Sequence, residues 1–212
     1  MVSSRFAFAQ LFASGTVLFG GFAASAAPVT FELSKEKSDL TWHGKKEIGD
    51  GHTGKIKIAG GNVVLDGNEI KSAEITIDTA SITNLDVKDP TFNKKLVDHL
   101  KSEDFFKVDS FKTATFTSKT STKIDGGKAA LAGKLEIRGK SSDFTVNLSD
   151  IKVADATATA AGKMVFDRTK FDVKYNSASF PDLFKVAKDK IIKNDVELDF
   201  KLVADKKSST SN

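Results

Sequence analysis

The side chains best suited to chemistry in this chain are its three histidines, His43, His52 and His99. His43 and His52 flank a predicted hairpin turn near Glu47, where cross-strand neighbours face each other. Two imidazoles with a carboxylate such as Asp50 are a possible zinc-ligand set. The alternative, which we favour, is that both histidines are structural and hydrogen-bonded, so no metal site is predicted. His99 falls in the last turn of a predicted helix, where a partly charged imidazole interacts favourably with the helix dipole.

Catalysis has little support in the sequence. The chain has no cysteine, no Gly-x-Ser-x-Gly nucleophile elbow and no glycine-rich phosphate loop before a helix. No pair of acidic residues stands out as an acid/base couple. We therefore predict a protein that is not an enzyme and needs no cofactor, with a metal-dependent hydrolase built on a barrel as the enzymatic alternative.

The N-terminus has the parts of a secretory signal peptide. Arg5 precedes an acid-free apolar stretch, and the segment ends in Ala24-Ser25-Ala26, whose small side chains suit a signal peptidase. Polar residues interrupt the apolar stretch, which falls short of the ~20 residues that a membrane span needs. We predict that residues 1–26 are removed and that the mature protein begins at Ala27. It is then periplasmic or secreted, without a stable membrane anchor.

The composition of the remaining chain predicts one domain over residues 27–205. The net charge of the whole chain is only +4, and basic and acidic residues alternate along it, which argues against a nucleic-acid partner. An exported protein without disulfides must be stabilised by burial alone, so a full-sized core is required. Residues 206–212 are rich in Ser and Lys and are predicted to be disordered.

Strand patterns dominate this domain. Apolar and polar residues alternate without a break in residues 73–78, 144–149 and 196–202, as in strands with one buried face. Hairpin turns are predicted where glycines cluster, at residues 49–51, 60–61, 66–68 and 125–127. Further strands are predicted at residues 30–33, 38–45, 52–59, 62–66, 112–119, 129–137 and 157–166.

One segment has the period of a helix instead. Between residues 89 and 104, Phe92, Leu96 and Leu100 form an apolar stripe. Asp89 is placed to cap this helix, with Pro90 at its first position. A second, weaker helical pattern covers residues 182–189.

Many short strands with one inserted helix favour an antiparallel β-barrel of about eight strands over a sandwich. No repeat of ~20–50 residues supports a propeller or solenoid. The chain contains 17 Phe but one Trp and one Tyr, which supplies apolar area without polar groups. These Phe side chains either fill the core or line a cavity. The alanine-rich strand at residues 156–162 favours a cavity, because small inward side chains leave volume.

Several short motifs together carry a family resemblance. They occur in one order along residues 30–204, and the chain thereby resembles the YceI-like family of exported, lipocalin-like, lipid- or polyisoprenoid-binding proteins. Lys112, Asp143 and Asp172 depart from the family pattern, but in turns or at strand starts. The motifs are Leu40-Thr41-Trp42-x-Gly44-Lys45-Lys46, Gly51-His52-x-Gly54, Ile77-Asp78 with Ser81-Ile82, His99-Leu100-Lys101-Ser102-x-Asp104-Phe105-Phe106, Ala114-Thr115-Phe116, Gly133-Lys134-Leu135-x-Ile137-Arg138-Gly139 and Asp167-Arg168-Thr169-Lys170-Phe171.

The resemblance implies a carrier that holds a long amphiphile, an isoprenoid or a fatty-acid-like molecule, inside a barrel. A homodimer is compatible with it, and a stress or scaffolding protein with an incidental cavity is the alternative. We expect the helix and the two following Phe to pack over one barrel opening. The predicted ligand-binding residues are Trp42, His52, Phe92, Leu96, His99, Leu100, Phe105, Phe106, Phe116, Arg168 and Phe171.

A purely apolar tube does not choose between amphiphiles, so a few polar groups near its mouth are expected to do so. The candidates for this role are His52, Asp89, His99 and Arg168. The alternative for Arg168 is a salt bridge to Asp167 or Asp172, and for the histidines it is structural hydrogen bonding.

Overall fold

The computed structural model describes residues 27–183 and 186–208. The predicted signal peptide, residues 1–26, lies outside the described residues, as does most of the predicted disordered tail. Lys206 still belongs to the last strand, one residue beyond the predicted domain boundary. Within the described part, no helix is both long and apolar enough to cross a membrane.

The described chain is mostly β, with one α-helix and three short 3-10 turns. The helix α1 spans Pro90–Lys101. The 3-10 turns are Thr79–Ser81, Arg168–Phe171 and Lys188–Lys190. The strands are β1 (Val29–Leu33), β2 (Asp39–Lys46), β3 (His52–Asp66), β4 (Glu69–Asp78), β5 (Thr113–Ser118), β6 (Thr122–Lys123), β7 (Ala129–Ile137), β8 (Lys140–Val153), β9 (Thr157–Asp167) and β10 (Ile192–Lys206).

The strands form one closed antiparallel barrel, as predicted. The order β3-β2-β10-β9-β8-β7-β5-β4 returns to β3 because β3 also pairs with β4. The barrel therefore has eight strand positions. β1 and β2 share one of them: β2 pairs with the first part of β3, where Leu40 lies opposite Ile56, and β1 with the second, where Val29 lies opposite Leu65. Both also pair with β10.

The strands close around an apolar interior because each places alternate side chains inward. In β7 the inward residues Leu131, Leu135 and Ile137 are buried, and in β10 Leu198 and Phe200 are. The alternating segments predicted at residues 73–78, 144–149 and 196–202 lie within β4, β8 and β10, and these predictions are confirmed.

The predicted hairpin turn at Gly60-Gly61 is wrong. These residues lie inside the single long strand β3, where the register with β4 shifts between Ile58 and Gly60. Gly61 has φ +137°, and a Cβ on it would lie 2.1 Å from the Glu74 carbonyl oxygen. The two glycines thus form a bulge, which bends a long strand around a barrel without ending it.

The predicted cap of α1 is confirmed, whereas the second helix is wrong. The Asp89 carboxylate accepts hydrogen bonds from the backbone N–H groups of Thr91 and Phe92, and Pro90 is the first helical residue. Within the described part of residues 182–189, only the 3-10 turn that starts at Lys188 forms. Leu183 and Val186 are exposed, so the described part of this segment buries no apolar face against the barrel that could stabilise a helix.

The two ends of the barrel differ in how they are covered. At the helix end, where β2, β4, β7 and β9 finish, α1 and the Arg168–Phe171 turn are inserted between strands. At the opposite, hairpin end, the connections are tight turns at residues 67–68, 125–128 and 154–156. The helix end is therefore the more heavily covered one.

Candidate functional site

Two apolar cavities lie inside the barrel. The first cavity, of about 110 Å³, occupies the half toward the hairpin end. Its walls include Leu65, Leu131, Val146, Ala158 and Phe200, which come from five different strands. Ala158 and Ala160 of the alanine-rich strand β9 both face this cavity, so the small side chains leave volume, as the sequence predicts.

The second cavity, of about 120 Å³, lies under the cover of the helix end. Trp42 and Ile82 line it from one side, and Leu100, Phe105 and Phe106 line it from the helix and the segment after it. The predicted cluster of α1 and the two following Phe residues therefore does meet the barrel interior. Lipid contact at these positions remains a prediction.

Four side chains line both cavities and so separate them; we call this set the waist. Met164 on β9 and Leu198 on β10 are direct cross-strand partners. Ile77 on β4 and Leu135 on β7 face them from the other side of the barrel. The interior thus has two chambers, one toward each end of the barrel, and these four apolar side chains lie in the walls of both.

Aromatic rings lie over glycines on neighbouring strands, and this shapes the cavity walls. Trp42 lies opposite Gly54, where a Cβ would come within 2.6 Å of the indole nitrogen. The indole N–H donates to the Thr83 carbonyl oxygen at 3.0 Å. Because Gly54 has no side chain, the Trp42 ring can lie against the wall of the second cavity and leave its centre open.

The cover at the helix end is fixed by ring contacts and by one arginine. The His99 ring meets Phe105 edge to face at a centroid distance of 5.0 Å and Tyr175 at 4.7 Å. Its Nε2 is 2.9 Å from the Asp104 carboxylate. The Arg138 guanidinium donates to the carbonyl oxygens of Phe105 and of Asp172, which directly follows the Arg168–Phe171 turn. Here His99 holds the cover together.

His52 belongs to a polar network that positions the start of α1. Its Nδ1 is 2.7 Å from Asp86 Oδ2, while Asp86 Oδ1 accepts from the Thr53 N–H at 2.8 Å. Desolvation raises the pKa of Asp86, but hydrogen bonds from Thr53, His52 and Asn84 outweigh it and hold this pKa below its ordinary value. The buried Asn84 then bonds to Asn93 of the helix.

The two histidines of the zinc alternative have separate partners. His43 lies opposite Thr53, not opposite His52. Its Nε2 is 3.0 Å from Asp199 on β10, and its Nδ1 meets the Thr53 hydroxyl at 3.1 Å. Across residues 27–183 and 186–208, no group of three or more His, Asp or Glu side chains is arranged to hold a metal ion.

Arg168 is the charged residue that lines the second cavity. It is only 2% exposed. Its guanidinium donates to the carbonyl oxygens of Val173 at 2.9 Å, Lys193 at 3.0 Å and Ile192 at 3.1 Å. Burial lowers its pKa to about 10, so it keeps its charge at neutral pH. The guanidinium is thus held by three backbone carbonyl oxygens. It forms no salt bridge with Asp167 or Asp172.

The more exposed of the two cavity walls lies toward the hairpin end. Val153 lines the first cavity and is 48% exposed, whereas every residue that lines the second cavity is buried or half-buried. Nearby, β8 shifts register against β9 between Ser149 and Lys152, and the Ile151 N–H bonds instead to Gly127. The polar candidates His52, Asp89, His99 and Arg168 therefore lie at the end opposite to this exposed wall.

The other predicted site residues are placed as follows. Phe116 lines the first cavity. Leu96 is half-buried against the core. Phe171 is fully buried and meets Phe166 edge to face at 5.9 Å. Phe92 is 62% exposed on the outer face of α1, with Lys95 Nζ 5.6 Å from its ring.

Sequence reasoning missed the waist and the anchors of the cover. The sequence predicts that Met164, Leu198 and Leu135 point inward on alternating strands. Only the structure shows that they line both cavities at one level of the barrel. Arg138 belongs to one of the family motifs, but nothing in the sequence assigns it a role, and Asn84 gave no signal beyond being a polar residue before the predicted helix.

A closed eight-strand barrel, covered at one end and hollow and apolar inside, is a lipocalin-like fold with an internal cavity. The YceI-like domain model matches residues 31–204. The chain belongs to the YceI-like family, as its motifs predict.

Solved structures agree with this assignment. The crystal structure of Burkholderia cenocepacia BcnA superposes with a TM-score of 0.63 and 27% identity, covering 81% of this chain and 99% of that one. A polyisoprenoid binding domain from Saccharophagus degradans, implicated in plant cell wall breakdown, gives 0.58 and 13%, covering 84% and 99%. A mutant Campylobacter jejuni YCEI protein gives 0.52 and 23%, covering 69% and 80%. The comparison with curated proteins gives no match.

Proposed function

We propose that this protein is an exported carrier that binds the hydrocarbon tail of a long amphiphile, isoprenoid or fatty-acid-like, inside its barrel. The observation that carries the proposal is the pair of cavities walled almost wholly by apolar side chains. Its family membership supports it, as does the fold shared with a structure described as a polyisoprenoid binding domain.

The energetics favour a long tail. Each CH₂ group that leaves water for an apolar interior gains ~0.8 kcal/mol. The polar atoms around the second cavity are already engaged, because Thr79 donates to the Phe111 carbonyl oxygen and Arg168 to three others. A hydrocarbon tail therefore enters the second cavity without taking a hydrogen-bond partner from Thr79 or from Arg168.

The segment before the barrel supports the export part of the proposal. The signal-peptide pattern ends at Ala26, and β1 begins at Val29, so removal of residues 1–26 leaves every strand intact. The chain has no cysteine, and a barrel of this kind needs none to fold in an oxidising compartment.

Native mass spectrometry of the exported protein, purified without detergent, tests the binding proposal. We expect a mass increment that organic solvent removes and that an isoprenoid alcohol or a fatty acid restores. A variant with Ala158→Phe fills the first cavity and should lose the increment while keeping the circular dichroism of the barrel. A wild-type protein that stays empty and binds neither lipid class would refute the proposal.

A further inference from the structure

We propose that Met164 is a length gate: it decides whether a bound tail ends in the first cavity or continues into the second. This inference rests on the proposed function and adds a specificity-determining residue to it. Met164 is buried at the waist and lines both chambers.

The waist lies between the exposed wall of the first cavity and the covered second cavity. Exposed wall is found at Val153, in the first cavity, while the second cavity lies under Leu100, Phe105 and Phe106. A tail that enters from the hairpin end therefore fills the first cavity before it reaches the waist. It gains the second cavity only by displacing waist side chains.

Among the four waist residues, Met164 is the one that can move most easily. Ile77, Leu135 and Leu198 are branched, whereas methionine is unbranched, with three rotatable bonds and a polarisable sulfur that adapts to irregular surroundings. The chain has two methionines, Met1 and Met164. Once the proposed signal peptide is removed, Met164 is the sole methionine of the protein.

The ligand class follows from this arrangement. Short tails that fit the first cavity leave the waist closed, and their affinity is independent of residue 164. Longer tails, such as polyprenyl chains, gain the extra apolar contact of the second cavity only when Met164 turns aside.

An isoprenoid alcohol series tests the gate, with geraniol as the short probe and geranylgeraniol as the long one. Met164→Phe should weaken geranylgeraniol binding by at least about tenfold, since several CH₂ groups then stay outside the second cavity. Geraniol binding should stay within about twofold. Met164→Ala, which widens the waist, should keep or strengthen geranylgeraniol binding, and it serves if Met164→Phe does not fold.

Two further measurements separate the outcomes. Leu131→Phe, which fills only the first cavity, should weaken both alcohols. In NMR spectra of the mature protein labelled at the methionine methyl group, the single Met164 methyl resonance should shift when geranylgeraniol binds and shift much less when geraniol binds. Parallel losses for both alcohols in Met164→Phe, or equal methyl shifts, would overturn the gate. A wild-type protein that binds neither alcohol would instead refute the carrier proposal itself.

Discussion

Phe200 and Gly162 are direct cross-strand partners on β10 and β9, and the Phe200 ring occupies the space that a side chain on Gly162 would need. A Cβ there would lie 2.4 Å from the ring and 2.6 Å from the Asn147 carbonyl oxygen. The glycine lets the ring lie along the wall of the first cavity, so this pair fixes both packing and open volume.

Gly162→Ala is therefore expected to destabilise the barrel by ~1–3 kcal/mol, because overpacking forces the ring or the backbone to move. Urea unfolding measures this loss. Gly60→Ala is the matched control, since a Cβ at Gly60 has no neighbour within 4 Å. Adding Phe200→Leu to Gly162→Ala should recover part of the loss, but not the part due to Asn147. Equal stability of the two alanine variants would contradict this account.

Arg168→Met is expected to lower the free energy of unfolding by ~2–4 kcal/mol, because three carbonyl oxygens lose the buried guanidinium that donates to them. Arg168→Lys should recover only part of it, since an ammonium lacks the planar fork of donors. The exposed Lys170 in the same 3-10 turn gives the control Lys170→Met, which should change stability by under ~0.5 kcal/mol. If Arg168→Met matches this control, the arginine is not a structural clamp.

The carboxylate of Glu197 predicts a specific loss of stability in acid. Hydrogen bonds from Lys45 and Lys163 lower its pKa from 4.5 to about 2. Because the unfolded chain then binds a proton more readily than the folded one, the stabilisation is present above pH 4.5 and lost as the pH falls toward 2. Glu197→Gln should be less stable than wild type at neutral pH and should flatten this acid decline.

Urea unfolding from pH 7 down to about 2 follows this effect for Glu197. The exposed Glu36 in the turn between β1 and β2 provides the comparison Glu36→Gln, which should keep the wild-type slope. An unchanged slope in Glu197→Gln would show that the two lysines do not stabilise this carboxylate in solution.

Two leucines one turn apart on α1 allow the effect of a cavity-lining side chain on ligand binding to be compared with that of a core-packing one. Leu100 lines the second cavity, and Leu96 packs against the core. Leu100→Ala enlarges the cavity and should strengthen binding of a long isoprenoid alcohol, whereas Leu96→Ala should leave it unchanged. Both should lose stability, with ~2–5 kcal/mol expected for a fully packed leucine. Isothermal titration and thermal unfolding measure the two effects, and identical binding changes would argue against the distinction.

The predicted removal of residues 1–26 can be checked by measuring the mass of the intact exported protein. The exported protein is expected to begin at Ala27, because Ala24 and Ala26 supply the small residues before the cut. Ala24→Arg and Ala26→Arg together should block the cut and leave the precursor. A precursor that stays in the membrane in the wild type would contradict the soluble-carrier proposal.

The sequence could predict which side chains of each strand point into the barrel. One face of each strand is buried, so apolar and polar residues alternate along it. Residues 196–202 show this well. The bulge at Gly60-Gly61 could not be predicted, because two adjacent glycines also suit a tight turn. Only their pairing with Thr76 and Ile75 on β4 shows that they lie within a strand.

The candidate site was harder to predict than the fold. Leu100, Phe105 and Phe106 could be placed at the barrel interior because their motif follows an amphipathic helix. The waist depends on which inward residues of β4, β7, β9 and β10 share one level, and that level is set by strand tilt and register. Polar residues such as His52 drew attention for their chemistry, but in the structure they anchor the cover.

The pairing of β10 with β1, β2 and β9 has a consequence for the order of events. Phe31 pairs with Lys206, so the seam of the barrel joins residues from nearly opposite ends of the chain, and contacts of such long sequence separation form slowly. The chambers do not exist until the last strand is in place. Loading with lipid must therefore follow folding, and an unclosed intermediate would expose the same apolar surface to aggregation.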